Sequence, residues 1–538
     1  LMLIAVTVSA SPAATLAIAS LSPAKGKVGT IVTVSGSGFG DPALAVSFNG
    51  GPAPIISRNA AGTELKTKVP FGATDGAVTV IDSTGLPVSS TQPFDVTFGA
   101  VIGGRNLYRT QPIRILGSAF PASTTVSFTI DGKKFGHAES SGGGALRAIR
   151  RLPLELPAGR NHTLGIDCNG CTVIQLPFSL RGDWPQHRWG GSQTGVQPIE
   201  WELTPANVSG LKFKSFPNNL LTVGPIVQWG QYLYASTRNA AGGFIAFAYD
   251  VSGPTPTFFR SFTIGDTGAH DGNFLSVEAG TLYVGWGASF YAFDARGVAG
   301  CNTSSRICQP LWEATQSPGN GFEPVVSDGL LLNYAAGKLT AFDAAGLKNC
   351  AGTPKICTPL WTKADLGGRI ATWPIDEGGN GNVFDFDAYL PIKGLYAFDR
   401  DGNKAPGFPT AVASGAESPI AIAGGRLALI RDSNQVPARL TVYSALTGAQ
   451  LWEATLPNST SGAPAMTPTR IFVTLSDGQT LAFAAAGCGS PTCNSLWSTP
   501  HRQFGASISP VIAGNVLFAA ARLKSTDGAD TPAAYDAN

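Results

Sequence analysis

Charge is scarce in this chain. Asp, Glu, Lys and Arg make up only 13% of its 538 residues, about half the usual share of a soluble globular protein. The formal net charge is +2 and no basic run of five or more residues occurs, so nothing in the sequence offers an electrostatic footprint for a nucleic acid or an anionic membrane. Beyond the first ten residues no apolar stretch approaches the roughly 20 residues that cross a bilayer. No transmembrane segment is expected, and the protein reads as soluble or surface-attached. Catalytic signatures are missing too. There is no Gly-x-Ser-x-Gly elbow, no His-Glu-x-x-His, and no glycine-rich phosphate loop ending in Lys-Ser or Lys-Thr. The five histidines, His137, His162, His187, His270 and His501, are scattered, and solvated or hydrogen-bonded structural roles are expected of them. "GDTGAHDGNF" (265–274), which holds His270 and Asp271, reads as a turn.

What is plentiful is Gly (66) and Pro (38), a mixture that favours short strands separated by many turns. Eight cysteines fall into four close pairs, Cys168/Cys171, Cys301/Cys308, Cys350/Cys357 and Cys488/Cys493. An even count in local pairs points to disulfides in an oxidising compartment. Structural zinc needs four converging ligands, and only one pair here has the CxxC spacing. The opening "LMLIAVTVSA" is apolar and ends in Val8-Ser9-Ala10, the small-x-small pattern of a signal-peptidase site, and it reads as the tail of an export signal. A buried first strand is the alternative.

Residues 17–98 alternate apolar and polar positions between Gly, Pro and Asp turns, as in "SPAKGKVGTIVTVSGSGFG", "VSFNG" and "GAVTVIDSTG", the pattern of a small β-sandwich. With Pro23, Gly29, Gly36 and Gly38-Phe39-Gly40 in order, the stretch resembles the opening of an IPT/TIG domain, an immunoglobulin-like module. Residues 99–181 restart the plan, "PIRILGSAFPASTTVSFTIDG" echoing "TIVTVSGSGFGDPALAVSFNG", and read as a second immunoglobulin-like sandwich. Its Cys168-Asn-Gly-Cys171 lies between two β-prone runs, where Asn-Gly marks a hairpin turn, so a turn-locking disulfide is expected there.

From 182 to 538 the chain repeats itself. "AYD" (248–250), "AFD" (292–294), "AFD" (341–343), "AFD" (397–399), "VYS" (442–444), "AFA" (482–484) and "AYD" (534–536) recur at intervals of 44, 49, 56, 45, 40 and 52 residues. A Pro-led apolar strand precedes most copies, and a Leu-Trp strand follows several. Each unit reads as an inner strand, a second strand, an "AxD" strand and an outer "LW" strand. This unit resembles the quinoprotein-type, or PQQ-like, propeller repeat, and 183–216 resembles its usual lead-in. The resemblance implies a seven-bladed β-propeller in which "LKFKSF" (211–216) supplies the last outer strand and removes exposed edges, with a segment following the last "AYD" as the alternative source of that strand. The repeat residues Asp250, Asp294, Asp343, Asp399 and Asp536, with Trp312, Trp361, Trp452 and Trp497, are then blade-packing positions. Three of the cysteine pairs lie between an "AxD" and an "LW" strand, where residues 447–448 hold only a Thr-Gly turn. Each pair is expected to pinch a lengthened loop shut.

The family's dehydrogenases hold a quinone by Trp stacking, calcium and a disulfide between adjacent cysteines, and this chain has no Cys-Cys dipeptide. Oxygen-rich loops are present at Asp399, Asp401 and Asn403, and at Asp376, Asn380 and Asn382, the latter resembling an integrin-type FG-GAP calcium loop. They are the calcium candidates. The expectation is an exported all-β protein, extracellular or in the cell envelope, without catalysis or a required cofactor, that binds a protein or glycan through its propeller. The alternatives are an envelope assembly factor resembling the outer-membrane assembly lipoprotein, and a quinone-dependent dehydrogenase.

Overall fold

The structure is a computed structural model. It describes residues 15–153, 156–186, 188–189, 193–200, 202–211, 226–238, 244–264, 273–286, 289–315, 325–327, 329–335, 338–353, 355–363, 383–387, 394–411, 418–431, 436–460, 462–500, 509–521 and 531–537. Among them there is no α-helix, only the short 3-10 turn Val208–Gly210. The leader 1–10, the closing strand read at 211–216 (from residue 212 on), Asp376, Asn380, Asn382, His187, His270, Asp271 and His501 lie outside the described residues.

The chain divides into two compact units. One comprises Leu1–Leu107, Gln111–Pro153 and Gly159–Leu180; the other comprises Tyr108–Thr110, Leu154–Ala158 and Arg181–Asn538. The first unit holds two sandwiches. In the first, Ala17–Ser22, Ile31–Ser37, Glu64–Lys68 and Ile55–Arg58 form one sheet, and Gly51–Ala53, Ala45–Phe48, Val78–Ile81 and Pro87–Ser89 form the other. Alternation sends Val32, Val34, Leu65, Val78 and Val80 inward around Phe39, Phe48 and Phe94. In the second sandwich, Gly99–Ile102, Pro112–Ser118 and Leu146–Arg151 face a five-stranded sheet that includes Thr125–Ile130, Gly159–Cys168 and Ile174–Leu180. The sequence echo between the two has a physical cause. A Cβ on Gly36 would meet Phe39 Cζ at 2.9 Å, and one on Gly117 would meet Phe120 Cε2 at 2.4 Å, so each sandwich lays an aromatic ring on a bare backbone.

The second unit contains seven antiparallel sheets among the described residues. In chain order they begin with Val227–Trp229, Asn273–Glu278, Val325–Ser327, Val383–Asp387, Ala421–Ala423, Ala465–Met466 and Val511–Ala513. The sheet starting at Ala421–Ala423 continues with Arg426–Arg431, Ala438–Ser444 and Gln450–Leu456, which is the inner, second, "AxD" and "LW" order read from the sequence. The fourth sheet departs from it, its outer strand being Thr410–Ala411 with no tryptophan. Consecutive sheets share cores. Tyr234 and Phe262 of the first meet Leu282 and Phe293 of the second, Trp312 meets Leu331 and Phe342 of the third, and Trp452 meets Ile471 and Phe483 across the fifth and sixth. This face-to-face packing of successive antiparallel meanders is that of a β-propeller.

Candidate functional site

The repeat aspartates are consumed by their own turns. Asp294 accepts the amides of Arg296 (3.0 Å) and Ala299 (2.8 Å) and pairs with the Arg296 guanidinium at 2.9 Å. Burial alone would raise its carboxyl, but these amides and Arg296 hold it below the ordinary range. Asp343 likewise accepts Leu347 N (2.8 Å) and Lys348 N (2.6 Å), and Asp250 accepts Ser252 N (2.9 Å). Of the calcium candidates, Asp399 accepts Asp401 N (3.0 Å), Asn403 N (2.7 Å) and Asn403 Nδ2 (3.1 Å), the bonding of an Asx turn.

The turn after each "AxD" strand locks onto the preceding sheet. Gly346 has φ +64°, and a Cβ there would meet Trp312 Cδ1 at 2.2 Å. Gly402 sits the same way on Trp361, and Gly487 on Trp452. A bare backbone in the left-handed region is what allows the indole to lie flat against the turn. In four of the units the carbonyl one residue past the motif is capped by a donor from the preceding sheet. Tyr234 Oη donates to Ala295 O (2.8 Å), Tyr283 Oη to Ala344 O (2.9 Å), Trp361 Nε1 to Arg400 O (2.8 Å) and Trp452 Nε1 to Ala485 O (3.2 Å). The tryptophans were among the repeat residues read from the sequence; Tyr234 and Tyr283 were not. Their signal was an aromatic with a polar tip at the same place in the second strand of the first two units.

All four cysteine pairs are bonded: Cys168–Cys171, Cys301–Cys308, Cys350–Cys357 and Cys488–Cys493. Three of them close fingers that do more than shorten a loop. Ile307–Cys308 pairs in parallel with Ser261 and Phe262 on the outer strand of the first sheet. Lys355–Cys357 pairs in parallel with Trp312 and Glu313 of the second, and Thr492 bridges Glu453 of the fifth. Each finger therefore covers the outer edge of the sheet before its own. The fingers and turns also present aliphatic side chains outward. Val298 and Leu347, each four residues past the repeat Asp, are 60% and 73% exposed, and Ile307 and Ile356, each just before a finger's second cysteine, are 37% and 52% exposed. The Leu of the "LW" pairs at 311, 451 and 496 is likewise exposed, while Leu360 of the remaining described pair is half-buried and Trp312 and Trp452 are buried.

The chain's own lead-in lies against the inner strands. Trp184 bridges Gln228 of the first sheet, and Val277 N of the second donates to Pro185 O (2.6 Å). Gln186 pairs like a strand with Val326 of the third: its Nε2 donates to Val326 O (2.9 Å) and its Oε1 accepts Val326 N (3.1 Å). Buried Arg188 donates to Gln193 O (2.9 Å) and to Pro464 O beside the sixth sheet. Met466 N of that sheet donates to Thr194 O (2.8 Å), and Val196–Gln197 runs parallel to Val511–Ala513 of the seventh. Behind this segment Asp183 pairs with Arg109 at 2.9 Å and accepts Gly230 N (2.7 Å). Burial pushes the Asp183 carboxyl up, and Arg109 opposes the shift. A polar cleft alongside is lined by Tyr108, Arg181, Glu200, Glu202 and Gln228, its charges joined by an Arg181–Glu202 contact of 3.2 Å.

Residues 393–531 match the family model described as outer membrane protein assembly factor BamB, and residues 16–96 match that of the IPT/TIG domain. Similar solved structures include BamB from Moraxella catarrhalis, at 17% identity and TM-score 0.40 over 58% of this chain and 85% of that one. A europium-containing methanol dehydrogenase aligns at 12% identity and TM-score 0.35 over 64% and 90%. The quinohemoprotein alcohol dehydrogenase from Comamonas testosteroni aligns at 13% and 0.35 over 63% and 77%. No curated protein matches the chain. The chain thus carries an IPT/TIG domain at 16–96 and, at 393–531, a PQQ-like propeller repeat of the BamB type.

Proposed function

We propose that this is an exported, non-catalytic scaffold whose propeller, a closed ring of seven sheets, holds a protein partner on its outer rim. The observation that carries the reading is the recurrence of exposed aliphatic side chains at equivalent places on successive fingers and turns, at Val298 and Leu347 and again at Ile307 and Ile356. Exposed aliphatic side chains repeated at equivalent positions are contacts of the kind a protein partner can bury. The match of 393–531 to an assembly-factor family supports a protein ligand over a glycan. The four disulfides support an oxidising compartment, extracellular or in the envelope. The inner-strand amides that would line a cofactor funnel are engaged by the lead-in, which favours a scaffold over a quinone-dependent oxidase.

The test is capture from envelope and secreted fractions of the source cells with the full chain as bait, compared with Leu347→Ser/Ile356→Ser. A partner retained by the parent and lost by the double variant supports the reading. Equal capture by both, or quinone absorbance with alcohol turnover after reconstitution with calcium, contradicts it.

A further inference from the structure

Each of the three propeller fingers is a hairpin too short to hold itself. In the first, Asn302 N donates to Ile307 O (2.8 Å) and Gln309 N to Gly300 O (2.9 Å) around the Cys301–Cys308 bond. The arm that leaves it makes a two-residue parallel pairing with the sheet before. Two-stranded hairpins are marginal in water and parallel pairs are the weaker kind, so the disulfide is what keeps the arm in register. The protected amides are specific: Ser261 N donates to Arg306 O (2.9 Å) in the first finger's case, and Glu453 N donates to Pro491 O (2.8 Å) in the third's. The three bonds also share an asymmetry. The second cysteine is buried, Cys308 at 0%, Cys357 at 2% and Cys493 at 6% exposure, whereas Cys301 and Cys350 are half-buried and Cys488 is exposed. The first cysteine of each of these three pairs is thus the more exposed of the two, and attack is expected at its sulfur. Cys168–Cys171 is different in kind. It sits in the turn between Gly159–Cys168 and Ile174–Leu180, which pair at length without it.

We propose that the three fingers are thiol-releasable clasps: reduction by a dithiol frees each finger and uncovers the outer edges of the first, second and fifth sheets while the sheets themselves persist. The chemistry is thiol–disulfide exchange. A thiolate of the dithiol attacks Sγ of Cys301, Cys350 or Cys488, breaking the S–S bond and expelling the buried partner as a thiolate that then takes up a proton. The second thiol of the reagent displaces the mixed disulfide. The protein gains two electrons and two protons per bond, and the dithiol leaves as its own disulfide. A strand edge uncovered in this way accepts further strands, so the oxidised fingers keep the propeller from pairing with other chains.

Hydrogen exchange on the full chain, before and after treatment with dithiothreitol, tests this. The amides of Ser261 and Glu453 should exchange about tenfold faster or more once the fingers are reduced, with Tyr232–Arg238 and Arg426–Arg431 of the same sheets remaining far better protected than those two amides, and reoxidation should restore protection. In Cys301→Ser/Cys308→Ser only Ser261 should accelerate, and in Cys168→Ser/Cys171→Ser neither amide should change. Unaltered exchange at Ser261 after alkylation proves complete reduction would overturn the proposal. So would loss of protection throughout the sheets together, or acceleration at Ser261 in the Cys168→Ser/Cys171→Ser variant.

Discussion

The junction between the second and third sheets and the one between the fourth and fifth solve the same packing problem with different residues. In the former, Trp312 lies under Gly346, Tyr283 caps Ala344 O, and the Cys350–Cys357 finger covers the edge. In the latter, Phe408 and Thr410 lie under Gly448, Thr410 Oγ1 donates to Gly448 O (2.9 Å), and the connection is the short Thr-Gly turn with no cysteine. The common element is a glycine at positive φ pressed on a ring or hydroxyl, together with a capped turn carbonyl. The indole and the disulfide are additions that vary independently, since Trp361 packs under Gly402, whose turn holds no cysteine.

Truncation of the ring separates the two junctions most. Trp312→Ala should cost about 3–5 kcal/mol in denaturant unfolding, whereas Phe408→Ala, at a half-buried ring, should cost about half as much. Gly346→Ala and Gly448→Ala should each cost about 2–4 kcal/mol, since both force a Cβ into a filled space at positive φ. A clear inequality between them would break the claim that the glycine is the shared element. Cys350→Ser/Cys357→Ser should lower stability by about 2.5 kcal/mol from loop entropy, an effect with no counterpart at the other junction. Tyr283→Phe leaves a buried carbonyl without its donor and should cost about 1–2 kcal/mol. Burial raises the Tyr283 phenol above the ordinary range. The unfolded chain therefore deprotonates first, and the stability this tyrosine contributes is present below about pH 10 and falls as pH rises beyond it. A pH series of unfolding midpoints on the parent and Tyr283→Phe measures the difference. The smallest effect belongs to Leu347→Ser, within about 0.5 kcal/mol at so exposed a site.

Much of this was legible in the residues. The "AxD" and "LW" strands announce themselves because their apolar positions repeat with the unit, and local cysteine pairs imply local bonds. The parallel pairing of Ile307–Cys308 on Ser261 was not legible, because two residues carry no alternation to read and the partner lies in the preceding unit. The lead-in was recognised as a segment, but its wiring was hidden. Gln186 bonds 140 residues away and Arg188 bonds 276 residues away, and neither side chain announces a distant carbonyl. The exposure of the leucine in "LW" was missed for a related reason: alternation says that one of two neighbours faces out, and the indole claims the interior.

The chain's own lead-in engages the inner strands of the propeller, and the protection of four amides reports on that engagement. Val277, Val326, Met466 and Ile512 donate respectively to Pro185 O, Gln186 Oε1, Thr194 O and Gly195 O. Slow hydrogen exchange is expected at all four in the full chain, with Val326 alone accelerating in Gln186→Ala. Fast exchange at these amides in the parent, as at an open strand edge facing water, would contradict it.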